Sequence, residues 1–401
     1  MTPLILRHFT ATSCLGRGLQ ATLDSLRAQR SGLAPCAFET VTLETYIGEV
    51  PGVDEVTLPT SLKRFDCRNN RLAQLGIGQD GFVDAVAACV GRWGSRRVGL
   101  FLGTSTSGML QTELAYRRRD PATGALPADF DYAGSHNSYS LAAFLRPILG
   151  VDGPSAVTSS ACSSSAKVFG SARRMIAAGV IDAAVVGGID SLCLTTLYGF
   201  HSLQLVSRAP CKPFDVTRDG ISIGEAAAFA LIERAPQSLD DRDILLLGVG
   251  ESSDAYHMST PHPEGRGARA AMLQALDDAG LTAEDIDYIN MHGTGTPNND
   301  SAEGKAVATV FGERRQPVEA SSTKGATGHT LGAAGALEAV ICALSLRHGL
   351  LPGSVNTHQV EATPGFEYLC ANRYRQISRA LSNSFGFGGS NCSLVLGRSQ
   401  C

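Results

Sequence analysis

Two segments of the chain share one pattern, and this likeness restricts the possible folds more than any other feature. Each begins at a residue that could do chemistry, continues through small side chains and ends in glycine; they are residues 162–179 and 329–349. Small side chains let a helix approach its neighbours closely, so each segment is predicted to be a buried helix. The likeness suggests two similar halves, divided near residues 235–245.

Four apolar runs have the length and the flanking glycines of buried central strands. The helical pattern of residues 268–281 follows the last of them and includes Gly280, a typical helix stop. Strands that alternate with helices predict an α/β fold with ligand sites at the strand ends. The four runs are residues 97–105, 183–191, 226–234 and 244–252.

Composition narrows the class of protein. The 401 residues are 43% hydrophobic and 18% charged, which allows a large core, and a net charge of −4 argues against a nucleic-acid partner. Eleven cysteines without a CxxC pair indicate neither a disulfide framework nor a zinc site, and they fit a reduced, cytoplasmic protein. Because neither a signal peptide nor an apolar stretch of transmembrane length is evident, we expect a soluble protein without a membrane partner.

Cys162 is the first candidate for chemistry, since it lies where a predicted strand passes into a predicted helix. The helix dipole and the free backbone N–H groups at a helix N-terminus favour a thiolate, so a lowered thiol pKa is predicted. The same N–H groups could stabilise an oxyanion on a bound carbonyl group. The structural alternative is a small buried side chain without chemistry, which describes most cysteines.

Two further segments place histidine beside glycine and hydroxyl side chains. His292 follows a short apolar run and precedes Gly-Thr-Gly-Thr-Pro, a run that brings backbone close to a ligand. Residues 321–338 carry Lys324, His329 and Glu338, and the lysine could pair with the glutamate if the following helix folds back. The alternatives are a structural turn histidine and a glycine-rich connection with one solvated lysine.

A glycine-rich segment near the C-terminus, residues 383–391, contains two phenylalanines and three glycines. It predicts a flexible loop with bulky side chains that could gate a cavity, and the alternative is a simple hairpin. A phosphate-binding loop would need a helix directly after it, and the sequence does not provide one.

Together these segments resemble one family, the β-ketoacyl-acyl-carrier-protein synthases of the KAS I/II type, which are condensing enzymes of the thiolase superfamily. The resemblance rests on SSACSSS, HGTGTPNND, STKGATGHTLGAAGALE and NSFGFGGSN, in that order, and runs from about residue 97 to the end. It implies the thiolase fold, in which two similar βαβαβαββ-type halves stack as a five-layered α/β/α/β/α sandwich. The halves would be residues 1–240, with the cysteine, and residues 241–401, with the two histidines.

The resemblance also implies a reaction. Cys162 would take an acyl group from an acyl-carrier protein, and malonyl-carrier protein would then lose carbon dioxide beside His292 and His329. The resulting carbanion would attack the acyl group and give a 3-ketoacyl product. The family needs no cofactor and no metal. The other implied site residues are Lys324 and Glu338 for the electrostatics, Phe387 for the gate and the oxyanion site, and Thr294 and Thr296 for the phosphopantetheine arm of the substrate.

The resemblance defines the substrate and the partners less directly than the reaction. Thr106 lies where fatty-acid enzymes often carry apolar residues, so the pathway is either fatty acid synthesis or a specialised polyketide or aryl-polyene-like pathway. We expect a homodimer; the alternative is a heterodimer in which this chain is the catalytic half beside a homologous, chain-length-setting subunit. Acidic carrier proteins require a basic docking patch. Its candidates are Lys63, Arg64, Arg68, Arg71, Arg117, Arg118 and Arg119.

Four rival classes fit the sequence less well. A thiolase would need a second reactive cysteine in a CxG setting, but Cys392 is followed by serine and leucine. A KAS III-type enzyme would use Cys, His and Asn, whereas His329 favours a Cys-His-His site. A non-catalytic partner subunit would lack Cys162, and a nucleotide-binding module would need a fingerprint that is missing.

Overall fold

The computed structural model describes residues 3–360 and 365–399. Strands are numbered in chain order, and the longest of them belong to one large sheet. They are β1 Leu4–Ser13, β2 Gly16–Arg17, β3 Ala34–Pro35, β4 Tyr46–Gly48, β5 Val98–Gly103, β6 Ser155–Thr158, β7 Ala183–Asp190, β8 Ile223–Gly224, β9 Ala226–Arg234, β10 Ile244–Ser253, β11 Tyr288–Asn290, β12 Val318–Ser321, β13 Leu350–Leu351, β14 Phe366–Tyr368, β15 Arg373–Tyr374, β16 Arg379–Gly386 and β17 Ser390–Arg398.

Helices occupy most connections between these strands, as expected of an α/β fold. The α-helices are α1 Gly18–Arg27, α2 Arg68–Ile77, α3 Phe82–Trp93, α4 Met109–Arg117, α5 Ser140–Leu149, α6 Ser164–Ala177, α7 Leu194–Ser202, α8 Arg266–Ala279, α9 Pro297–Phe311, α10 Lys324–Thr327 and α11 Ala334–His348. Short 3₁₀ turns cover Thr60–Phe65, Ser95–Arg97, Ala283–Asp285, Leu331–Ala333 and Phe387–Gly389, and Tyr132–His136 forms one π turn.

The main sheet contains two sets of five strands with the same order and the same directions. The first set runs β1-β9-β7-β5-β6 and the second runs β10-β17-β16-β11-β12, to which β14 adds an edge. In each set the first two pairings are antiparallel and the last two are parallel. Antiparallel pairing of β1 with β10 joins the sets. This repetition confirms the expected likeness of the two halves.

Five layers of helices and sheet build the core. Helices α6 and α11 lie in the middle, where their side chains form one apolar cluster with strands of both sets. Helices α2, α3 and α5 cover the outer face of the first set, while α8 and α9 cover the outer face of the second. The architecture is therefore the five-layered, thiolase-like sandwich that the sequence predicted.

Close packing of the two central helices explains their small residues. An added Cβ at Gly335 of α11 would lie 2.6 Å from the backbone nitrogen of Ala166 in α6, so no larger residue fits there. The four predicted strands are confirmed as β5, β7, β9 and β10, and the predicted helix is confirmed as α8. The two similar segments contain α6 and α11, although each helix begins a few residues after its candidate cysteine or histidine.

One helical segment corrects the expectation about transmembrane length. Residues Leu331–His348 are long and apolar enough to cross a membrane by composition alone, but 89% of the segment is buried inside the fold. It includes α11, the helix in the middle layer, whose apolar side chains contact the core on all sides. Its hydrophobicity is explained by this central position.

Candidate active site

The candidate residues lie in turns that meet at one end of the two strand sets. Cys162 follows β6, His292 follows β11, and Lys324 follows β12. His329 lies between α10 and α11, and Phe387 lies in the turn that joins β16 to β17. Because β11 and β12 run parallel, the segments that follow them leave the sheet at the same edge. The fold thus brings together side chains that are far apart in the sequence.

Cys162 lies in a tight turn between β6 and α6. Ala161, directly before it, has a φ of +51°, which is uncommon for a residue with a side chain. Ser164 begins the helix two residues after Cys162. The thiol is buried, and this burial raises its pKa to about 12. The nearby Lys324 ammonium and the backbone N–H group of Phe387 act in the opposite direction. The predicted lowering of the thiol pKa is therefore wrong, because burial outweighs these favourable partners.

The two histidines lie beside this thiol. Nε2 of His329 is 3.0 Å from Sγ of Cys162, and the rings of His292 and His329 meet edge to face with centroids 5.2 Å apart. Both rings are fully buried, and burial together with the Lys324 ammonium holds their pKa values well below the usual range of histidine. Both imidazoles are therefore neutral at physiological pH.

Their hydrogen bonds define the tautomer of each ring. The backbone N–H group of Leu331 donates to Nδ1 of His329 over 3.3 Å, so this nitrogen is an acceptor. Nζ of Lys324, which can only donate, lies 3.3 Å from Nδ1 of His292. Assigned from these contacts, the proton of each neutral ring is on Nε2. The site therefore presents two N–H donors.

The same three residues could be considered as a metal site. Ligand atoms of Cys162, His292 and His329 lie within 4.8 Å of one another, and sulfur with two imidazoles suits zinc. Binding through Nε2 would force each ring to carry its proton on Nδ1, where another donor already faces it. The arrangement favours hydrogen-bond donation over metal ligation.

Lys324 connects the histidines to the middle helix. Its ammonium group donates to the backbone carbonyl of His292 over 2.6 Å and forms a buried ion pair with Glu338 of α11. The predicted pairing of Lys324 with Glu338 is confirmed, because α11 does fold back over the turn. Burial raises the pKa of Glu338 to about 7, and the lysine opposes this shift.

Two acidic residues of α9 belong to the site, although sequence analysis did not single them out. Glu303 accepts hydrogen bonds from the backbone N–H groups of His292 and Gly293, each over 2.7 Å. Asp300 accepts one from Thr294 over 2.9 Å. Burial raises the pKa of Glu303 to about 7. These carboxylates fix the turn that carries His292. A sequence pattern could have identified them. The two carboxylates are three residues apart, on the helix that follows the turn with His292.

One cavity of about 190 Å³ opens beside the cysteine and the two histidines. Thr294 and Thr296 line it, with their hydroxyl oxygens 2.8 Å apart. Phe387 lines it from the β16–β17 turn and contacts Phe200, with ring centroids 5.4 Å apart. The glycine-rich segment 383–391 is thus a hairpin, as its alternative reading proposed, and its turn borders the cavity.

The hairpin approaches the cysteine turn too closely for any side chain in one place. An added Cβ at Gly386 would lie 2.8 Å from the carbonyl oxygen of Ser160 and 3.3 Å from the backbone nitrogen of Cys162. Glycine at this position lets the hairpin approach the cysteine turn, where the backbone N–H group of Phe387 acts on the Cys162 thiol beside the backbone N–H group of Cys162 itself. Two such N–H groups can stabilise one oxyanion.

The predicted basic patch is corrected at one residue. Arg68 is only 2% exposed and forms ion pairs with Glu225, Glu49 and Asp54, so it stabilises the fold instead of facing a partner. Its long side chain is buried because Glu225, which is fully buried, needs a counter-charge. Four other candidates have acidic partners within ion-pair distance: Lys63 with Asp66, Arg64 with Asp131, Arg71 with Asp66, and Arg118 with Asp129.

Comparison with known proteins places the chain in a family. The model of the beta-ketoacyl synthase N-terminal domain matches residues 88–238, and that of the C-terminal domain matches residues 245–358. A 3-oxoacyl-[acyl-carrier-protein] synthase 2 of Staphylococcus aureus is 33% identical over 330 residues, which are 75% of this chain and 76% of the relative. The protein with the same name from Rhizobium meliloti (strain 1021) is 39% identical over 258 residues, and that alignment spans 61% of each chain.

Solved structures agree in the fold. A ketosynthase in complex with its chain length factor from Xenorhabdus doucetiae matches with 37% identity and a TM-score of 0.88, over 99% of this chain and 98% of that chain. A beta-ketoacyl synthase from Burkholderia phymatum STM815 matches with 27% identity and a TM-score of 0.86, over 100% of both chains. The fold and the site define a condensing enzyme of the thiolase superfamily. The chain belongs to the β-ketoacyl synthase family, and its chemistry is acyl transfer.

Proposed function

We propose that the protein joins an acyl group, held on Cys162, to malonyl-acyl-carrier protein and releases 3-ketoacyl-acyl-carrier protein and carbon dioxide. One observation carries this proposal: the Cys162 sulfur lies 3.0 Å from Nε2 of His329, in a cavity that His292 also lines. A nucleophile beside two neutral N–H donors suits a reaction with one thioester to attack and one enolate to stabilise.

In the first step, the sulfur of Cys162 attacks the acyl thioester of a carrier protein. The carbon–sulfur bond to the carrier arm breaks, and the thiol proton leaves with the arm's sulfur. The raised pKa of Cys162 means that the resting residue is a thiol, so its proton is lost only as the new bond forms. The backbone N–H groups of Cys162 and Phe387 hold the oxyanion of the tetrahedral intermediate.

In the second step, malonyl-carrier protein loses carbon dioxide. The Nε2–H groups of His292 and His329 donate to the thioester oxygen and stabilise the enolate that forms as the carboxylate leaves. The enolate carbon attacks the acyl carbonyl, the carbon–sulfur bond to Cys162 breaks, and the released thiolate takes one proton from the solvent, which restores the thiol. Lys324 and Glu338 set the electrostatics of the two rings.

The entrance of the cavity serves the carrier arm. Thr294 and Thr296 hold the phosphopantetheine arm through their hydroxyl groups, and Phe387 gates the path to the cysteine. These roles are supported by the position of all three residues on the cavity wall. Two units carry the site, residues 1–240 with the cysteine and residues 241–401 with the histidines.

The proposed partners are acyl and malonyl forms of an acyl-carrier protein and a second condensing-enzyme chain, in the cytoplasm. A heterodimer is favoured by two matches, the Xenorhabdus ketosynthase with its chain length factor and the ishigamide ketosynthase/chain length factor, the latter 26% identical with a TM-score of 0.88. A homodimer, the first expectation from the sequence, is the alternative. The pathway is a specialised polyketide or aryl-polyene-like one, with fatty acid synthesis as the second candidate.

Intact-mass measurement after incubation with acyl-carrier proteins tests the first step. We expect a gain of one acyl group in the wild-type protein and none in Cys162→Ala. Cys342→Ala is a matched control, because Cys342 is also buried but lies in α11 and outside the cavity. Acyl loading of Cys162→Ala would show that another residue is the nucleophile. If the wild-type protein accepts no acyl group, even with a co-purified partner chain, the proposal fails.

A further inference from the structure

The turn that carries Lys324 and His329 is built on a very short helix. Helix α10 has four residues, Lys324–Thr327, and the chain leaves it at Gly328, which has a φ of +70°. The last four carbonyl groups of a helix usually have no partner further along it, so all those of α10 are helix-end groups. Gly328 donates its backbone N–H group to the carbonyl of Lys324 over 2.8 Å, but His329 donates to the carbonyl of Ser222. The other carbonyl groups of α10 therefore depend on donors from distant segments.

Two cysteine thiols supply such donors, and neither takes part in the reaction steps described above. Sγ of Cys211, between α7 and β8, lies 3.1 Å from the carbonyl oxygen of Lys324. Sγ of Cys14, directly after β1, lies 3.4 Å from the carbonyl oxygen of Thr327. It is also 3.6 Å from that of Ala326, so its single hydrogen is shared between two acceptors. The two thiols thus contact both ends of the short helix.

The last carbonyl group of α10 depends most on a thiol. Among residues 3–360 and 365–399, Cys14 is the only hydrogen-bond donor to the carbonyl oxygen of Thr327. The carbonyl of Ala326 also accepts from the backbone of Gly32, over 2.9 Å. An added Cβ at Gly224 would lie 2.2 Å from the Thr327 oxygen, so strand β8 closes over it. Because a buried carbonyl without a donor is unfavourable, loss of the Cys14 thiol should displace this end of α10.

Cys211 connects the start of this turn to its histidine. Its backbone N–H group donates to Oγ of Ser222 over 3.0 Å, and the carbonyl of Ser222 accepts from the backbone of His329 over 2.7 Å. Its thiol contacts the carbonyl of Lys324, the first residue of α10. A shift of the turn would move Nε2 of His329, which lies 3.0 Å from the sulfur of Cys162. The contacts that hold α10 therefore also determine where this histidine lies.

Both thiols retain the hydrogen that they donate. Burial raises the pKa of Cys14 to about 12 and the pKa of Cys211 to about 11. Both side chains are therefore neutral thiols at physiological pH. A thiolate would have no hydrogen to donate and would repel the carbonyl oxygen that it faces.

We propose that Cys14 and Cys211 are positioning residues for decarboxylation, because their thiols hold α10 so that His329 presents its Nε2–H group to the thioester oxygen. This inference rests on the proposed function. Acyl loading depends on the sulfur of Cys162 and on the backbone N–H groups of Cys162 and Phe387, which belong to other turns. The two thiols should therefore affect carbon dioxide release much more than acyl loading.

Two rates measured on the same variants test this inference: carbon dioxide release from malonyl-acyl-carrier protein, and acyl loading of Cys162 followed by intact mass. We expect Cys14→Ala and Cys211→Ala each to slow carbon dioxide release about tenfold. This lies between the modest loss of one hydrogen bond and the roughly 10²-fold cost of a misplacement of about 1 Å. Cys89→Ala is the matched control, because Cys89 is a buried cysteine in α3, and it should change neither rate.

A conservative variant separates hydrogen-bond donation from packing. Cys211→Ser keeps a donor for the Lys324 carbonyl and should recover most of the rate that Cys211→Ala loses. Three results would overturn the inference and leave the proposed function intact: alanine variants that release carbon dioxide at the wild-type rate, alanine variants that lose both rates equally, or a serine variant as slow as Cys211→Ala. A wild-type protein that releases no carbon dioxide from malonyl-acyl-carrier protein would instead contradict the proposed function.

Discussion

The backbone N–H group of Leu331 donates a hydrogen bond to Nδ1 of His329 over 3.3 Å. Leu331 has a φ of +51°, an uncommon conformation for a residue with a side chain, in the turn that precedes α11. The bond directs the proton of His329 to Nε2, the atom beside the Cys162 sulfur. The turn between α10 and α11 therefore defines the chemical role of the histidine as a donor.

Replacing Gly386 by alanine should impair acyl loading. The added Cβ would lie 2.8 Å from the Ser160 carbonyl oxygen, so the hairpin must move away from the cysteine turn. Loss of one aligned oxyanion donor typically costs about 10²-fold or more in rate, and we expect a loading defect of that order. Gly91→Ala is the control, because an added Cβ there meets open space in α3. Equal loading by the two variants would contradict the proposed oxyanion site.

Glu303 should make stability depend on pH. The pKa of Glu303 is raised from 4.5 to about 7 in the folded protein. Its stabilising contribution to the free energy of unfolding is therefore fully present below pH 4.5 and is lost as the pH rises through 7. The difference corresponds to about 3 kcal/mol between those limits. Denaturant titrations from pH 4.5 to 8 should show the stability of wild type falling relative to Glu303→Gln by an amount of this order. Parallel pH profiles of the two proteins would contradict the raised pKa.

His292 and His329 should change the stability of the fold in the opposite direction when the pH is lowered. Their pKa values are well below 6.5 in the folded protein, so the unfolded chain binds more protons below that pH. Stability from His292 and His329 is therefore present above pH 6.5 and falls as the pH decreases below it. His329→Gln, which cannot be protonated, should lose less stability than wild type between pH 7 and 5. A steeper loss in the variant would contradict the assignment of neutral rings.

The ion pair of Lys324 and Glu338 should show strong coupling. Glu338→Gln leaves a buried ammonium without its counter-charge, which typically costs about 3–5 kcal/mol. Lys324→Met combined with Glu338→Gln removes both charges and should be less destabilising than Glu338→Gln alone. The measurement is the free energy of unfolding of both variants and of Lys324→Met. Additive effects of the two single changes would show that the pair is not coupled.

Arg68 should be a structural residue, in contrast to its neighbour Arg64. Arg68→Ala leaves the buried carboxylate of Glu225 without its partner and should destabilise the protein by about 3–5 kcal/mol. Arg64 is 59% exposed and pairs with a half-exposed aspartate, so Arg64→Ala should change stability by about 1 kcal/mol or less. Thermal unfolding of the two variants decides between these expectations; similar stability losses would contradict the burial of Arg68.

Local sequence patterns located most of the site. The cysteine turn, the histidine turn and the glycine-rich hairpin each have a characteristic run of small residues, so Cys162, His292 and Phe387 could be found without a structure. The strands β5, β7, β9 and β10 were predictable because strands buried on both faces are continuous apolar runs. The repeated strand order follows from the likeness of the two segments that contain α6 and α11.

Properties that depend on distant contacts were not predictable. The pKa of Cys162 is raised because the site is buried between two halves, and a helix start in a sequence does not show how deep it lies. Arg68 was expected on the surface because its main partner, Glu225, is 157 positions away. Asp190 ends a correctly predicted strand, but its hydrogen bonds to the turn after β5 join residues about 85 positions apart.

Decarboxylation of malonyl-acyl-carrier protein tests the central claim most directly, because it isolates the step assigned to the two N–H donors. We predict that Cys162→Ala still releases carbon dioxide, while His292→Ala and His329→Ala each release it at least about 10²-fold more slowly, the usual cost of one lost donor. The measurement is the rate of carbon dioxide release with one malonyl-carrier protein preparation. Histidine variants that decarboxylate as fast as wild type, with their fold intact by circular dichroism, would contradict the account.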